Sequence, residues 1–211
     1  MKFAVFLYPG VEPIDLATFG VLSMARRIAP QIQLLTVAPE PGPVVLSNGL
    51  TVLAQYGVGD CPPVDALIIT GGPGWPAQTA NTVTLDFIRA RAKDSVVMSV
   101  CTGGMILAAT GLLDGRHATT KREVVSPEEQ PLALMHNRYP KVRAVEAPLV
   151  DEGRLITAGG VSLCIDATLH LLERMLGAEV ASETARILEY TTARSANQRA
   201  WAFASRPAAE A

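Results

Sequence analysis

The sequence predicts an α/β sandwich: a mostly parallel sheet with helices on both faces. Three features point to it. Four apolar runs of strand length lack polar alternation, as in strands covered on both sides. Longer segments with helical apolar spacing separate them. Right-handed crossovers between parallel strands then place helices on both faces.

Taken in order, residues 2–8 (KFAVFLY) form the first strand candidate, and residues 32–37 (IQLLTV), 66–70 (ALIIT) and 95–100 (SVVMSV) the next three. Residues 14–27 carry Leu16, Phe19, Leu22 and Met24 at helical spacing. A helix over 84–93 follows Asn81-Thr82, which can cap it. A short one over 103–111 ends at Gly111, and one over 162–176 runs from a possible Ser162 cap to Gly177. A further helix spans 178–190. Residues 42–60 break the alternation, because Asn48-Gly49 between apolar runs signals a hairpin. Residues 143–158 read as short strands joined by the turn Asp151-Glu152-Gly153. No internal repeat or linker divides the chain. The expectation is a single domain over 1–190 and a tail over 191–211, frayed or docked through Trp201 and Phe203.

Composition narrows the function. A chain of 211 residues with 49% apolar and 18% charged residues has ample material for a core. The net charge is -2, and no Lys/Arg run exceeds two residues, as in Arg26-Arg27. A dominant phosphate-binding surface is therefore excluded, and nucleic acid is not an expected partner. No apolar stretch is long enough to cross a bilayer. The first residues read as a strand and not a signal peptide, since Pro9-Gly10 interrupts them without a small-residue cleavage site. Cys61, Cys101 and Cys164 show no C-x-x-C spacing, which argues against a disulfide framework or a zinc site. Together these features suggest a cytoplasmic protein with reduced thiols.

The most informative segment is 95–111, SVVMSVCTGGMILAATG. A buried strand runs into Cys101, then Thr102-Gly103-Gly104, then a helix. Ser99, Cys101 and Gly103 imitate the G-x-S-x-G elbow with cysteine as nucleophile. Gly103 and Gly104 leave room for the sharp turn, which lifts the sulfur to the carboxyl end of the sheet. A helix N-terminus there favours the thiolate. The competing reading is an inert buried cysteine. Thr70-Gly71-Gly72-Pro73-Gly74 follows another strand, and its N–H groups could form an anion-stabilising hole. Asp15 reads equally as a helix N-cap or as a carboxyl group reaching Cys101, with a pKa raised by partial burial. Gly159, Gly160 and Val161 could wall the site opposite Cys101, or form only a tight connection before the Ser162 cap. His117, His136 and His170 fall outside these motifs. Cys61 reads as a loop cysteine, Cys164 as core, and Asp166 as a partner for a buried polar group or as a surface residue.

Four motifs, FLYPGVEPID, IITGGPG, SVCTGGMILAATGLLDGRHATT and ITAGGVSLCID, resemble the ThiJ/PfpI superfamily over residues 1–190. That superfamily is related to class I glutamine amidotransferases. The resemblance implies a flavodoxin-like sandwich, a homodimer, a nucleophilic Cys101 and no cofactor. It runs to the isocyanide hydratase branch, on Asp15, Cys101-Thr102, residues 41–50 and residues 60–63. By that likeness Asp15 is the acid/base. Thr102 bonds substrate or water, and Gly72 with neighbouring N–H groups lines the pocket. The implied reaction turns a small isocyanide into an N-formamide through a covalent thioimidate. The branch carries His where Lys121 stands, so Lys121 either enters the pocket and alters the substrate or points to solvent. Two other functions compete. One is a ligand or redox sensor, as in regulators of the superfamily that carry an added helix-turn-helix domain. The other is a glyoxalase or deglycase, disfavoured because such relatives usually need a Glu and often a His near the thiol; a protease or amidase is disfavoured because Thr102 stands where that branch places a histidine.

Overall fold

The structure, a computed structural model, describes residues 1–200 and 204–205. Strands β1 (Lys2–Phe6), β2 (Gln33–Ala38), β3 (Gly42–Val45), β4 (Thr51–Ala54), β5 (Tyr56–Gly57), β6 (Ala66–Ile69) and β7 (Val96–Ser99) occupy the first half. Strands β8 (His117–Ala118), β9 (Arg143–Ala144), β10 (Leu149–Asp151), β11 (Leu155–Ala158) and β12 (Ala204–Ser205) follow. The main sheet has the order β12-β10-β11-β7-β6-β1-β2-β5. All its pairings are parallel except β10 with β11. The mostly parallel sandwich is therefore present as the apolar runs imply. Every residue of β6 and β11 is buried, and Phe3, Phe6, Leu67, Ile68 and Met98 lie at its centre.

The helices form two packed groups. Helices α1 (Ala17–Ala25), α6 (Leu163–Leu176) and α7 (Ala178–Ile187) pack together. So do α2 (Trp75–Thr79), α3 (Thr82–Arg91), α4 (Gly103–Ala109) and α5 (Pro131–Arg138). Asn81 caps α3 as expected: its Oδ1 accepts the N–H groups of Val83 (3.1 Å) and Thr84 (3.3 Å). The side chain of Ser162 makes no cap bond on α6, contrary to expectation. The first helix is split. Pro13 opens a 3-10 turn over Pro13–Leu16 before α1 begins, because proline fixes φ and suits a first turn. Asn48 and Gly49, at φ +61° and +87°, turn the expected β3–β4 hairpin.

In the tail, Thr191–Ala200 forms α8 and Ala204–Ser205 pairs with β10. Trp201 and Phe203 lie outside the described residues. Asp166 on α6 accepts hydrogen bonds from Tyr190 Oη and Asn197 Nδ2, both at 2.8 Å, tying α8 to the domain. Cys164 is core, as expected. Cys61 is also buried, and Arg91 bonds its carbonyl, so the loop cysteine is packed. Among the described residues no helix is long and apolar enough to cross a membrane, and no cluster of His, Cys, Asp or Glu is arranged to hold a metal.

Candidate active site

The elbow is built from the end of β7. Val100 continues the strand line through a bond to Ile69, and the chain then turns at Cys101 with φ +53°. A left-handed cysteine is strained, and its surroundings must hold it. Cys101 N donates to Gly159 O (3.1 Å), and Cys101 O accepts from Thr120 Oγ1 (2.8 Å). The glycines after it are required by contact. A Cβ on Gly103 would lie 2.9 Å from Thr70 O and closer still to Ile69 O, and one on Gly104 would lie 2.9 Å from Thr119 O. Gly103→Ala is accordingly expected to cost about 2 kcal/mol or more. Thermal denaturation should show a fall in Tm of roughly 5 °C or more.

Asp15 sits in the 3-10 turn with its side chain fully buried. It does not cap the helix. Its Oδ2 accepts the Gly71 N–H at 2.6 Å, joining the first and second sequence motifs. Burial pushes its pKa up to about 7. The Gly71 bond, the Cys101 thiol and the Lys121 ammonium hold it back, while Glu12 adds to the rise. The other oxygen, Oδ1, meets no partner at ordinary hydrogen-bond geometry, although the Cys101 thiol lies near enough to lower the carboxyl's pKa. Such catalytic contacts commonly tighten only when substrate binds.

Cys101 is 2% exposed. Its thiol is raised well above the usual range, first by burial and then by the Asp15 charge. The Thr102 N–H, Lys121 and the Thr102 hydroxyl pull the other way without overcoming it. Burial of the sulfur thus works against the helix N-terminus, which favours the thiolate. The carboxyl raises the thiol and the thiol lowers the carboxyl, so the two act as an interacting pair.

The glycine motif also differs in role. Gly71 N–H is taken by Asp15, and Gly72 N–H donates to Thr102 Oγ1 (2.8 Å). Both expected anion-hole donors are already engaged, and they orient the acid and the threonine. Close approach explains the residue type, since a Cβ on Gly71 would lie 2.8 Å from Cys101 Cβ. Across the site a Cβ on Gly160 would lie 3.0 Å from Cys101 Sγ, so Gly160 forms the facing wall. Gly159 stands one step back on Cys101 N, and Val161 lines the open side.

A cavity of about 700 Å³ opens here, lined by Cys101, Thr102, Gly72, Val161 and Lys121 together with Trp75 and Leu134. Lys121 lines this cavity, with its side chain 21% exposed. Its Nζ bonds Glu123 O and lies 3.9 Å from Glu128 Oε2. None of the three histidines lines it: His117 pairs with Glu152 (3.1 Å) and His170 with Asp151 (2.7 Å).

Sequence reasoning missed Tyr8, Thr120 and the outer wall. Tyr8 is buried behind the pair, with Oη donating to Thr70 O at 3.0 Å, and burial raises its pKa well above the usual phenol value. The signal for Thr120 was its place beside Lys121 in a segment where only Lys121 was weighed. Trp75 follows the glycine motif directly, but nothing in its spacing marks it as cavity wall.

The DJ-1/PfpI family profile matches residues 1–174. The chain belongs to the DJ-1/PfpI family. It is 32% identical over 197 residues to the isonitrile hydratase of Pseudomonas putida, covering 92% of this chain and 80% of that one. It is also 32% identical over 148 residues to the HTH-type transcriptional regulator GbdR of Pseudomonas aeruginosa, covering 68% of this chain but 37% of the regulator. Among solved structures, a ThiJ/PfpI family protein from Pseudomonas syringae superposes with TM-score 0.77 at 25% identity, over 90% of this chain and 74% of that one. The family and its flavodoxin-like fold thus agree with the four motifs. The relatives include an enzyme and a regulator, which leaves the reaction to be argued from the site.

Proposed function

We propose that this DJ-1/PfpI chain is a cysteine-dependent hydratase that converts small isocyanides to N-formamides. The observation that carries the reading is a buried carboxyl group, with a pKa of about 7, beside a thiol that lines a cavity. Such a carboxyl can take and return a proton near neutral pH. The likeness to an isonitrile hydratase along most of both chains supports the choice of substrate class.

The chemistry follows from the coupled pair. Asp15 takes the thiol proton as the Cys101 sulfur attacks the terminal isocyanide carbon, and a C–S bond forms. Asp15 then delivers that proton to the same carbon, giving the thioimidate R–N=CH–S–Cys101. Water adds to this carbon, with one of its protons passing to nitrogen and the other remaining on the new hydroxyl. Asp15 takes the hydroxyl proton as the C–S bond breaks, and returns it to sulfur. The products are the N-formamide and the free thiol, so each turnover adds one water. Thr102, held by Gly72, is placed to orient the water or the substrate nitrogen. Gly160 and Val161 keep the substrate against the sulfur.

Formamide absorbance with a panel of alkyl and aryl isocyanides tests the proposal. Turnover with saturation is expected; no turnover with any of them would remove it. Likeness to GbdR over 68% of this chain favours a second reading, a ligand sensor that binds in the same cavity without chemistry. It predicts a thermal shift with isocyanide and no formamide. Redox sensing is disfavoured by the burial of the thiol, because oxidation follows exposure as well as thiolate character. A glyoxalase would yield lactate from methylglyoxal, and the cavity lacks the histidine expected for it.

A further inference from the structure

The reaction needs a state in which Asp15 and Cys101 share a single proton. That state carries one negative charge among buried groups, and an uncompensated buried charge is costly. Lys121 lines the same cavity as Cys101. Its stem packs on the far side of the Gly160 wall: a Cβ on Gly160 would lie 3.0 Å from both Lys121 Cγ and Cys101 Sγ. The ammonium is tethered by Glu123 O and half-compensated by Glu128 at 3.9 Å. We propose that Lys121 is a positioning residue of this site, whose ammonium neutralises the one-proton state of the Asp15–Cys101 pair and keeps the sulfur ready to attack. The proposal rests on Cys101 being the nucleophile.

Other charges facing the pair do not do the same work. Glu12 raises Asp15, and Tyr8 and Cys164 are neutral groups that the Asp15 charge pushes further from ionising. Glu128 and Glu129 line the cavity and are anionic. Arg138 lies farther out, its guanidinium 5.7 Å from the Trp75 ring centre. Lys121 is the cation that lowers both members of the pair.

The test is the pH profile of iodoacetamide alkylation at Cys101, followed by peptide mass spectrometry. An opposite charge within a few ångströms favours an ionised form by about ten-fold or more. Lys121→Met should therefore slow labelling at pH 7 roughly tenfold and move the profile to higher pH, while Lys121→Arg stays near the parent. Glu128→Gln frees the ammonium and should move the profile to lower pH. Coincidence of the Lys121→Met profile with the parent overturns the proposal. If that variant does not fold, an unchanged or slowed Glu128→Gln overturns it instead. Labelling needs no turnover, so a displaced profile without hydration would remove the hydratase reading and leave Lys121 its role.

Discussion

Cys101→Ser is expected to lower isocyanide hydration by on the order of 10⁴-fold or more, since removing a covalent nucleophile removes the pathway and not one contact. Serine keeps the volume and the left-handed turn at φ +53°, so the elbow should fold and the loss should be chemical. The alcohol oxygen is a far weaker nucleophile than sulfur, so the covalent step is lost even with Asp15 in place. Two measurements check this. Formamide production should vanish in the variant while far-UV circular dichroism and Tm stay near the parent. In the parent, intact-mass spectrometry of a quenched reaction should find one isocyanide added to the protein, on the peptide containing Cys101. Turnover within tenfold of the parent in Cys101→Ser would transfer the chemistry to another group and sink the thioimidate.

Much of this site is legible before any coordinates. The elbow is written in three adjacent features: an apolar strand with no alternation, a cysteine, and two glycines where Cβ atoms would strike Thr70 O and Thr119 O. Those are local constraints, and local constraints leave marks on residue type. What could not be read are quantities that depend on several distant segments at once. Whether Cys101 is a thiolate depends on the balance of burial, the Asp15 charge and Lys121, which come from three parts of the chain. A helix N-terminus beside the sulfur points one way in sequence, and the surrounding apolar packing decides the other way. The glycine motif failed for a similar reason. Gly71 and Gly72 do bring N–H groups to the site, but their partners, Asp15 and Thr102, belong to other motifs. Hairpin and cap signals at Asn48-Gly49 and Asn81 held because their partners lie within a few residues. Lys121 shows the limit most plainly: its position in the sequence could not choose between cavity and solvent, and the fold packs its stem against Gly160 and brings it to the cavity lining.

Asp15→Asn should separate catalysis from stability in opposite directions. Asparagine can still accept the Gly71 N–H, so the turn keeps its geometry, but it can neither take nor return a proton. Hydration is expected to fall by about 10²- to 10⁴-fold, the usual range for an acid/base group. Labelling of Cys101 at a fixed pH should rise at the same time, because the Asp15 charge is one of the two causes that raise the thiol. The stability effect has a definite sign. In the folded chain the carboxyl titrates at about 7, against 3.8 for the free group. The native state therefore holds a proton that the unfolded state has lost, and stability falls as pH rises through that interval. The contribution is fully present below about pH 4 and is gone above about pH 7. Its ceiling, from the gap between the two values at 1.36 kcal/mol per tenfold, is about 4 kcal/mol, with relaxation of the site reducing it. The difference between variant and parent isolates this group, since other titrations cancel. Urea unfolding at pH 5 and pH 8 should show Asp15→Asn gaining on the parent between the two, with the wider margin in its favour at the higher pH. A variant that is less stable at pH 8 would mean that the ionised carboxylate is favourably held, and the proton-carrying role given to Asp15 would go with it.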